Sequence, residues 1–123
     1  MVFVKYYKPN EVFYRDAFTR LTEGYPNISI SQKDTLQLIL EEWLTNLIKY
    51  SNFTFVNITF EAIDNNFKIT FEDDGIPFNP LNQKPNTDFT IPGGLGISLM
   101  KSYSKEFKYN YTNDSTNQMY IIF

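Results

Sequence analysis

The chain contains no cysteine and no histidine among its 123 residues. Without cysteine there can be no disulfide, no thiolate zinc site and no thiol nucleophile. Without histidine there can be no Ser-His-Asp triad, no imidazole metal site and no phosphohistidine. Any general base must then be a carboxylate, a lysine or a tyrosine. Glycine is also scarce, with five in all. Three of them, at 93, 94 and 96, crowd into "DFTIPGGLGISLMKSYSKEF" (88–107), just ahead of a stretch that reads as a helix. No apolar run reaches the length of a membrane span, and the apolar part of "MVFVKYYKPN" is too short for a signal peptide. A cytoplasmic location with no membrane partner is expected. The net charge is −3 and there is no long basic run, so nucleic acid is not the expected partner.

What is present is enough for a core: 42% of the residues are hydrophobic and 18% of the chain is aromatic. A disordered chain does not have this composition. The length fits one domain, 1–123. "VFVKYY" (2–7) predicts a strand. A helix of about 13 residues starts near Pro9 and Asn10, because Val12, Phe13, Ala17, Phe18 and Leu21 recur at helical spacing. Gly24 and Pro26 end it as a C-cap pair. The strongest helix covers 31–51, with a capping-box-like start at Ser31 and Asp34. Its buried stripe is Leu36, Ile39, Leu40, Trp43, Leu47 and Ile48. "FTFVNITFEAI" and "NFKITFEDD" predict a hairpin around 64–66. Residues 75–92 hold four of the six prolines and predict a long loop of functional type. A helix at 95–104 follows, then a second hairpin around 113–115. Hairpins mixed with helices predict an α+β two-layer sandwich, helices on one face of a mixed or antiparallel sheet.

Three stretches could carry chemistry. In "EEWLTNLIKYS", Glu42 and Asn46 are four residues apart and share a helix face; Lys49 and Tyr50 come one turn later. They form either a solvated polar face or a carboxylate base beside an amide oxygen able to hold Mg²⁺, which prefers oxygen ligands. In "TFEDDGIPFNP", Asp73 and Asp74 end a β-run before Gly75. That is either an ordinary turn or a carboxylate that receives a ligand amine where glycine permits close approach. The glycines at 93, 94 and 96 stand before unpaired N–H groups and the positive end of a helix dipole. They make either a plain loop or a phosphate cradle. Neither the P-loop pattern nor the dinucleotide fingerprint is present.

Taken in order, Glu42-x-x-x-Asn46, Asp73-x-Gly75 and Gly94-Leu95-Gly96 resemble the N, G1 and G2 boxes of the GHKL ATPases, the Bergerat-fold family. "DDGIPFNP" and "GGLGISLMKSYS" are especially similar to anti-sigma-factor serine kinases of the RsbW/SpoIIAB type. The resemblance spans residues 5–123 and implies a Bergerat fold, with a mixed sheet covered on one face by about three helices. It implies ATP and Mg²⁺ as ligands and a lid at about 79–93. Asp73 would bind the adenine amine. Gly75 would give room for the ring, which Ile76, Pro77 and Phe78 would line. Asn46 would hold Mg²⁺, Glu42 would be the catalytic base, and Lys49 could face phosphate. Gly93, Gly94, Leu95, Gly96 and Ile97 would wrap the phosphates. Tyr50 stands where many relatives have His, and Thr116 where the family often has a Thr near the adenine-binding Asp. The lid has a single basic residue, Lys84.

The implied activity is transfer of the γ-phosphoryl of ATP to a Ser on a small antagonist protein, with sequestration of a sigma factor in the free state. The family also implies a homodimer, for which "VFVKYY" offers an edge strand. The alternatives are an ATP-gated binding module without chemistry, and an interaction domain with a dead pocket.

Overall fold

A computed structural model describes residues 1–7, 13–82 and 95–123. Its elements in chain order are β1 (Val2–Tyr7), α1 (Phe13–Glu23), α2 (Ile30–Tyr50), β2 (Phe55–Ile63), β3 (Asn66–Asp73), a 3₁₀ turn (Pro80–Asn82), α3 (Leu95–Tyr103), β4 (Glu106–Tyr111) and β5 (Asn117–Ile122). The five strands form one sheet in the order β1-β2-β3-β5-β4. The expected start of α1 near residue 9, most of the lid, and Gly93 and Gly94 lie outside the described residues.

The sheet is antiparallel at every pairing rather than mixed. The crossover β3-α3-β4 does return the chain in a parallel sense, since both strands run against β5. Because β5 inserts between them, the two parallel strands never pair. The β2–β3 hairpin closes through Asp64 and Asn65, with Ile63 opposite Asn66. Asp64 adopts φ 54° there, a conformation that Asp tolerates better than most residues.

Alternation along the strands sets the layers. Val56, Ile58 and Phe60 of β2, Phe67, Ile69 and Phe71 of β3, and Met119 and Ile121 of β5 are buried. They join one core with Ala17 and Leu21 of α1, Leu36, Ile39, Leu40, Trp43, Leu44 and Leu47 of α2, and Ile97 and Met100 of α3. The opposite face carries Lys5, Asn57, Glu61, Lys68 and Glu72, none of them in the core. The described helices therefore cover one face. α2 lies between α1 and α3 and packs on both.

The helix termini differ from the sequence expectation in detail. Ser29, not Ser31, is the N-cap of α2; its hydroxyl accepts from the Gln32 amide at 3.1 Å. Ser29 and Gln32 hold the N-cap and third helical positions that a capping box requires. Gly24 follows α1, but a left-handed φ is not what requires glycine there. A Cβ at this position would come 2.3 Å from Val2 Cγ2, so close approach to β1 is what excludes a side chain.

Candidate functional site

One face of α2 and the chain after β3 enclose a cavity. Trp43, Asn46, Leu47 and Tyr50 project from α2 at helical spacing, with Ser51 just beyond. Asp73, Ile76, Pro77 and Phe78 face them, and Asn117 closes the floor. The cavity is small, about 90 Å³.

Asp73 is the chemical centre. It ends β3 on the inward face, so strand alternation buries it, and it is 1% exposed. Its Oδ1 accepts three hydrogen bonds: from the Gly75 amide at 2.9 Å, the Ser51 hydroxyl at 3.2 Å and Asn117 Nδ2 at 3.2 Å. Among the described residues no donor reaches Oδ2. One carboxylate oxygen is fully used by the protein and the other is left for a ligand donor. Burial pushes the Asp73 carboxyl above the usual carboxylate range, and the neighbouring Asp74 adds to the effect. The three donors pull the other way without outweighing burial.

The adjacent acid has a different task. Asp74 accepts from the Thr54 amide at 2.7 Å, the Phe55 amide at 3.1 Å and the Thr54 hydroxyl. Burial is the largest single influence and raises its carboxyl, but these donors together outweigh it and hold the group below the ordinary value. Asp74 therefore clasps the start of β2 and leaves the cavity to Asp73.

Gly75 has a structural cause that the sequence did not disclose. A Cβ there would sit 1.7 Å from Ser51 Oγ and 2.5 Å from the Ser51 carbonyl oxygen. The glycine lets the chain press against the end of α2, where the Ile76 amide donates to the Ser51 carbonyl at 3.0 Å. Ser51 is a site residue that sequence reading passed over.

The side chain that reaches Asp73 is Asn117, to which the sequence assigned no role, rather than Thr116. The Thr116 hydroxyl bonds to Thr112 at 2.6 Å and donates to Glu72 at 3.3 Å, on the open face of the sheet. Asn117 points inward, in phase with Met119 and Ile121. Its Nδ2 donates to Asp73 Oδ1, and to the carbonyls of Gly75 at 3.2 Å and Ile76 at 3.1 Å. Its Oδ1 accepts from the Phe78 amide at 3.0 Å and from the Tyr109 hydroxyl. One side chain thus ties the segment 75–78 to the sheet.

Glu42 lies on the neighbouring helix face, outside the cavity wall. A Cβ on Gly96 would meet its Oε2 at 1.9 Å. The carboxylate therefore rests over the first turn of α3, and the glycine makes room for it. Burial raises the Glu42 carboxyl above its usual range and Glu41 adds to this; Lys49 opposes. Lys49 itself is exposed and does not line the cavity. Ile97 is 5% exposed and belongs to the core. Leu95 begins α3. Among the described residues, no cluster of three acidic side chains could hold a metal by itself. Asn46 would instead have to share a cation with ligand oxygens and water, which is the ordinary situation for Mg²⁺ beside phosphates. No helix among the described residues is long and apolar enough to cross a membrane.

An antiparallel sheet under three helices, with a buried acid and a helix-borne Glu/Asn pair, is the architecture of a GHKL nucleotide-binding domain. The family model for the histidine kinase-like ATPase domain matches residues 12–123, and the chain belongs to that family. It resembles the RsbW-type anti-sigma kinases within it. The serine-protein kinase RsbW of Staphylococcus epidermidis is 30% identical over 103 residues, covering 72% of this chain and 62% of that protein. RsbW of Staphylococcus aureus strain MSSA476 is 28% identical over the same shares. The chain thus spans less than two thirds of the length of these relatives.

Proposed function

We propose that this chain binds Mg-ATP in the Asp73 cavity and transfers the γ-phosphoryl group to a serine of a small antagonist-like protein. In its unengaged state it sequesters a regulatory partner such as a sigma factor. The observation that carries the reading is the split use of the Asp73 carboxylate. Oδ1 is saturated by Gly75, Ser51 and Asn117, while Oδ2 has no donor among the described residues. An exocyclic amine of adenine supplies the missing donor. Pro77, Phe78 and Ile76 offer apolar surface for the ring.

From there the phosphates run along α2 toward Asn46, whose amide oxygen would hold Mg²⁺ together with phosphate oxygens and water. The ion supplies charge neutralisation when bound. Glu42 takes the proton of the attacking serine hydroxyl. The new bond forms between serine Oγ and the γ-phosphorus, the bond to the bridging oxygen breaks, and ADP leaves. Such transfer is mostly positioning and electrostatics, which suits a chain without histidine. The raised Glu42 carboxyl is consistent with a base that must accept a proton near neutral pH. Residues 1–123 form one nucleotide-binding unit in this reading. Two such units pair through β1, whose free edge carries the exposed Phe3 and Tyr7.

The test uses purified protein, labelled ATP and a candidate antagonist. Transfer by the wild type should fall by roughly 10²–10⁴-fold in Glu42→Gln, the usual contribution of a general base, with ATP affinity kept. Equal transfer by both proteins would remove Glu42 from the role. ATP binding with no transfer to any serine-bearing antagonist would favour the gated binding module instead.

A further inference from the structure

Asn117 has no hydrogen bond left to offer a ligand, because the protein uses every polar atom of its side chain. A carboxamide has two N–H hydrogens and an oxygen with two lone pairs. Nδ2 faces three acceptors, Asp73 Oδ1 and the carbonyls of Gly75 and Ile76. Oδ1 accepts from the Phe78 amide at 3.0 Å and from the Tyr109 hydroxyl. Asp73, Gly75, Ile76 and Phe78 all belong to the stretch that Asn117 holds in place. Tyr109 alone comes from elsewhere. It stands on the edge strand β4 opposite Met119, on the inward face that Asn117 shares. Its ring packs partly buried against the core, which a phenylalanine could also do. The hydroxyl is what a phenylalanine would lack. Burial raises its pKa, the Phe78 amide opposes this, and the charge of Asp73 adds to it. The hydroxyl is therefore protonated at neutral pH and able to donate.

We infer that Tyr109 is a positioning residue for adenine recognition, acting through Asn117 on Asp73. Its hydroxyl fixes the carboxamide from the sheet side. Turned the other way, Asn117 would set its oxygen against the Asp73 carboxylate and two carbonyls. With the hydroxyl in place, Nδ2 is aimed at Asp73 Oδ1, and Oδ2 is the oxygen presented to the cavity. Without it, Asn117 Oδ1 keeps only the Phe78 amide, on the same stretch that Asn117 has to hold, and the outside anchor is lost. Donation into Oδ1 also polarises the carboxamide, so Nδ2 becomes a stronger donor to the carboxylate. Tyr109 thereby sets how firmly Asp73 can accept the exocyclic amine, with no atom of its own on the base. The inference rests on the reading that adenine occupies this cavity, and the experiment separates the two.

Tyr109→Phe deletes the hydroxyl and keeps the ring. Calorimetric titrations would compare the wild type, Tyr109→Phe, Asp73→Asn and the double variant against two probes. One is ATP and the other is purine riboside triphosphate, which lacks the 6-amino group. Losing a neutral hydrogen bond from the network predicts about three- to tenfold weaker ATP binding by Tyr109→Phe. Purine riboside triphosphate should bind this variant as it binds the wild type. Adding Tyr109→Phe to Asp73→Asn should cost no further ATP affinity, because coupled residues do not add. Both probes are titrated into the same sample, so a partly unfolded fraction does not change their affinity ratio. Unchanged ATP affinity in Tyr109→Phe would overturn the inference. An equal loss for both probes, or a full additional loss in the double variant, would overturn it too, marking a packing effect independent of Asp73. A wild type that fails to bind ATP, or that binds both probes equally, would instead overturn the cavity reading and the inference with it.

Discussion

Replacing Asp73 by asparagine separates what the acid does for ATP from what it does for the fold. Asparagine keeps the carbonyl oxygen in place of Oδ1, so the donors from Gly75, Ser51 and Asn117 remain satisfied. It replaces Oδ2 by an NH₂ that would oppose the adenine amine. A hydrogen bond to a charged group contributes about 1.5–3 kcal/mol, so ATP affinity should fall by at least roughly 10–100-fold. Stability should move the other way. The Asp73 carboxyl is raised above its ordinary range chiefly by burial, so ionising it costs the folded state more than the unfolded chain. Its contribution to stability is fully present below the ordinary carboxylate value and is lost as pH rises through the raised one. Asp73→Asn lacks this penalty. Without nucleotide it should melt no lower than the wild type at neutral pH, and its advantage should shrink as pH falls. Asp73→Ala supplies the contrast. It strands the Gly75 amide and the Ser51 hydroxyl at about 1–3 kcal/mol for each, while Asn117 Nδ2 keeps the carbonyls of Gly75 and Ile76, and should melt well below both. Thermal melts across pH, paired with ATP titrations, provide the readout. An asparagine variant that binds ATP like the wild type, or melts as low as the alanine variant, would refute the reasoning.

Other substitutions test the remaining contacts. Gly96→Ala should keep the fold but displace Glu42, whose Oε2 lies 1.9 Å from the added methyl position; transfer should drop while ATP binding holds, as measured by labelled-phosphate assay. Gly75→Ala meets a backbone oxygen at 2.5 Å as well as a hydroxyl, so it should destabilise by about 1–3 kcal/mol as overpacking does, and Ser51→Gly should recover only part of that in urea titrations. Asn117→Ala should lower both melting temperature and ATP affinity, whereas Thr116→Val should leave ATP affinity within twofold, about 0.4 kcal/mol. Wild-type ATP binding should weaken on acidification through a midpoint above the ordinary carboxylate value, because protonated Asp73 is a poorer acceptor; a midpoint unchanged in Asp73→Asn would assign it elsewhere.

The order of elements was legible in the chain because hydrophobic spacing switches cleanly between periods of two and near four. Helical spacing puts Asn46 and Tyr50 on one face but Trp43 in the buried stripe, and the cavity wall takes all three. Parity was the better guide at the end of the chain. Thr116 attracted attention by residue type, yet Met119 and Ile121 are the buried positions of β5. Counting back by twos from them puts Asn117, not Thr116, against Asp73. The signal was present and simply outweighed. Ser51 carried no such signal: its place depends on how closely the turn at Gly75 meets the end of α2, a tertiary distance that local sequence does not encode. The sequence leaves a mixed and an antiparallel sheet both open, because whether β5 or β4 pairs with β3 is decided by packing rather than by the hairpin between them. Gly24 shows the converse: the right residue at a helix end, required by contact with Val2 rather than by cap geometry.

The central claim is that Asp73 reads an adenine amine with the one carboxylate oxygen the protein leaves unused. A crystal structure of the protein with Mg²⁺ and a non-hydrolysable ATP analogue tests it most directly. The account predicts the adenine between Asn46 and Phe78, its amine within hydrogen-bonding distance of Asp73 Oδ2, and Oδ1 still held by Gly75, Ser51 and Asn117. A nucleotide bound with its base outside this cavity, or with Oδ2 turned to a protein donor, would contradict it.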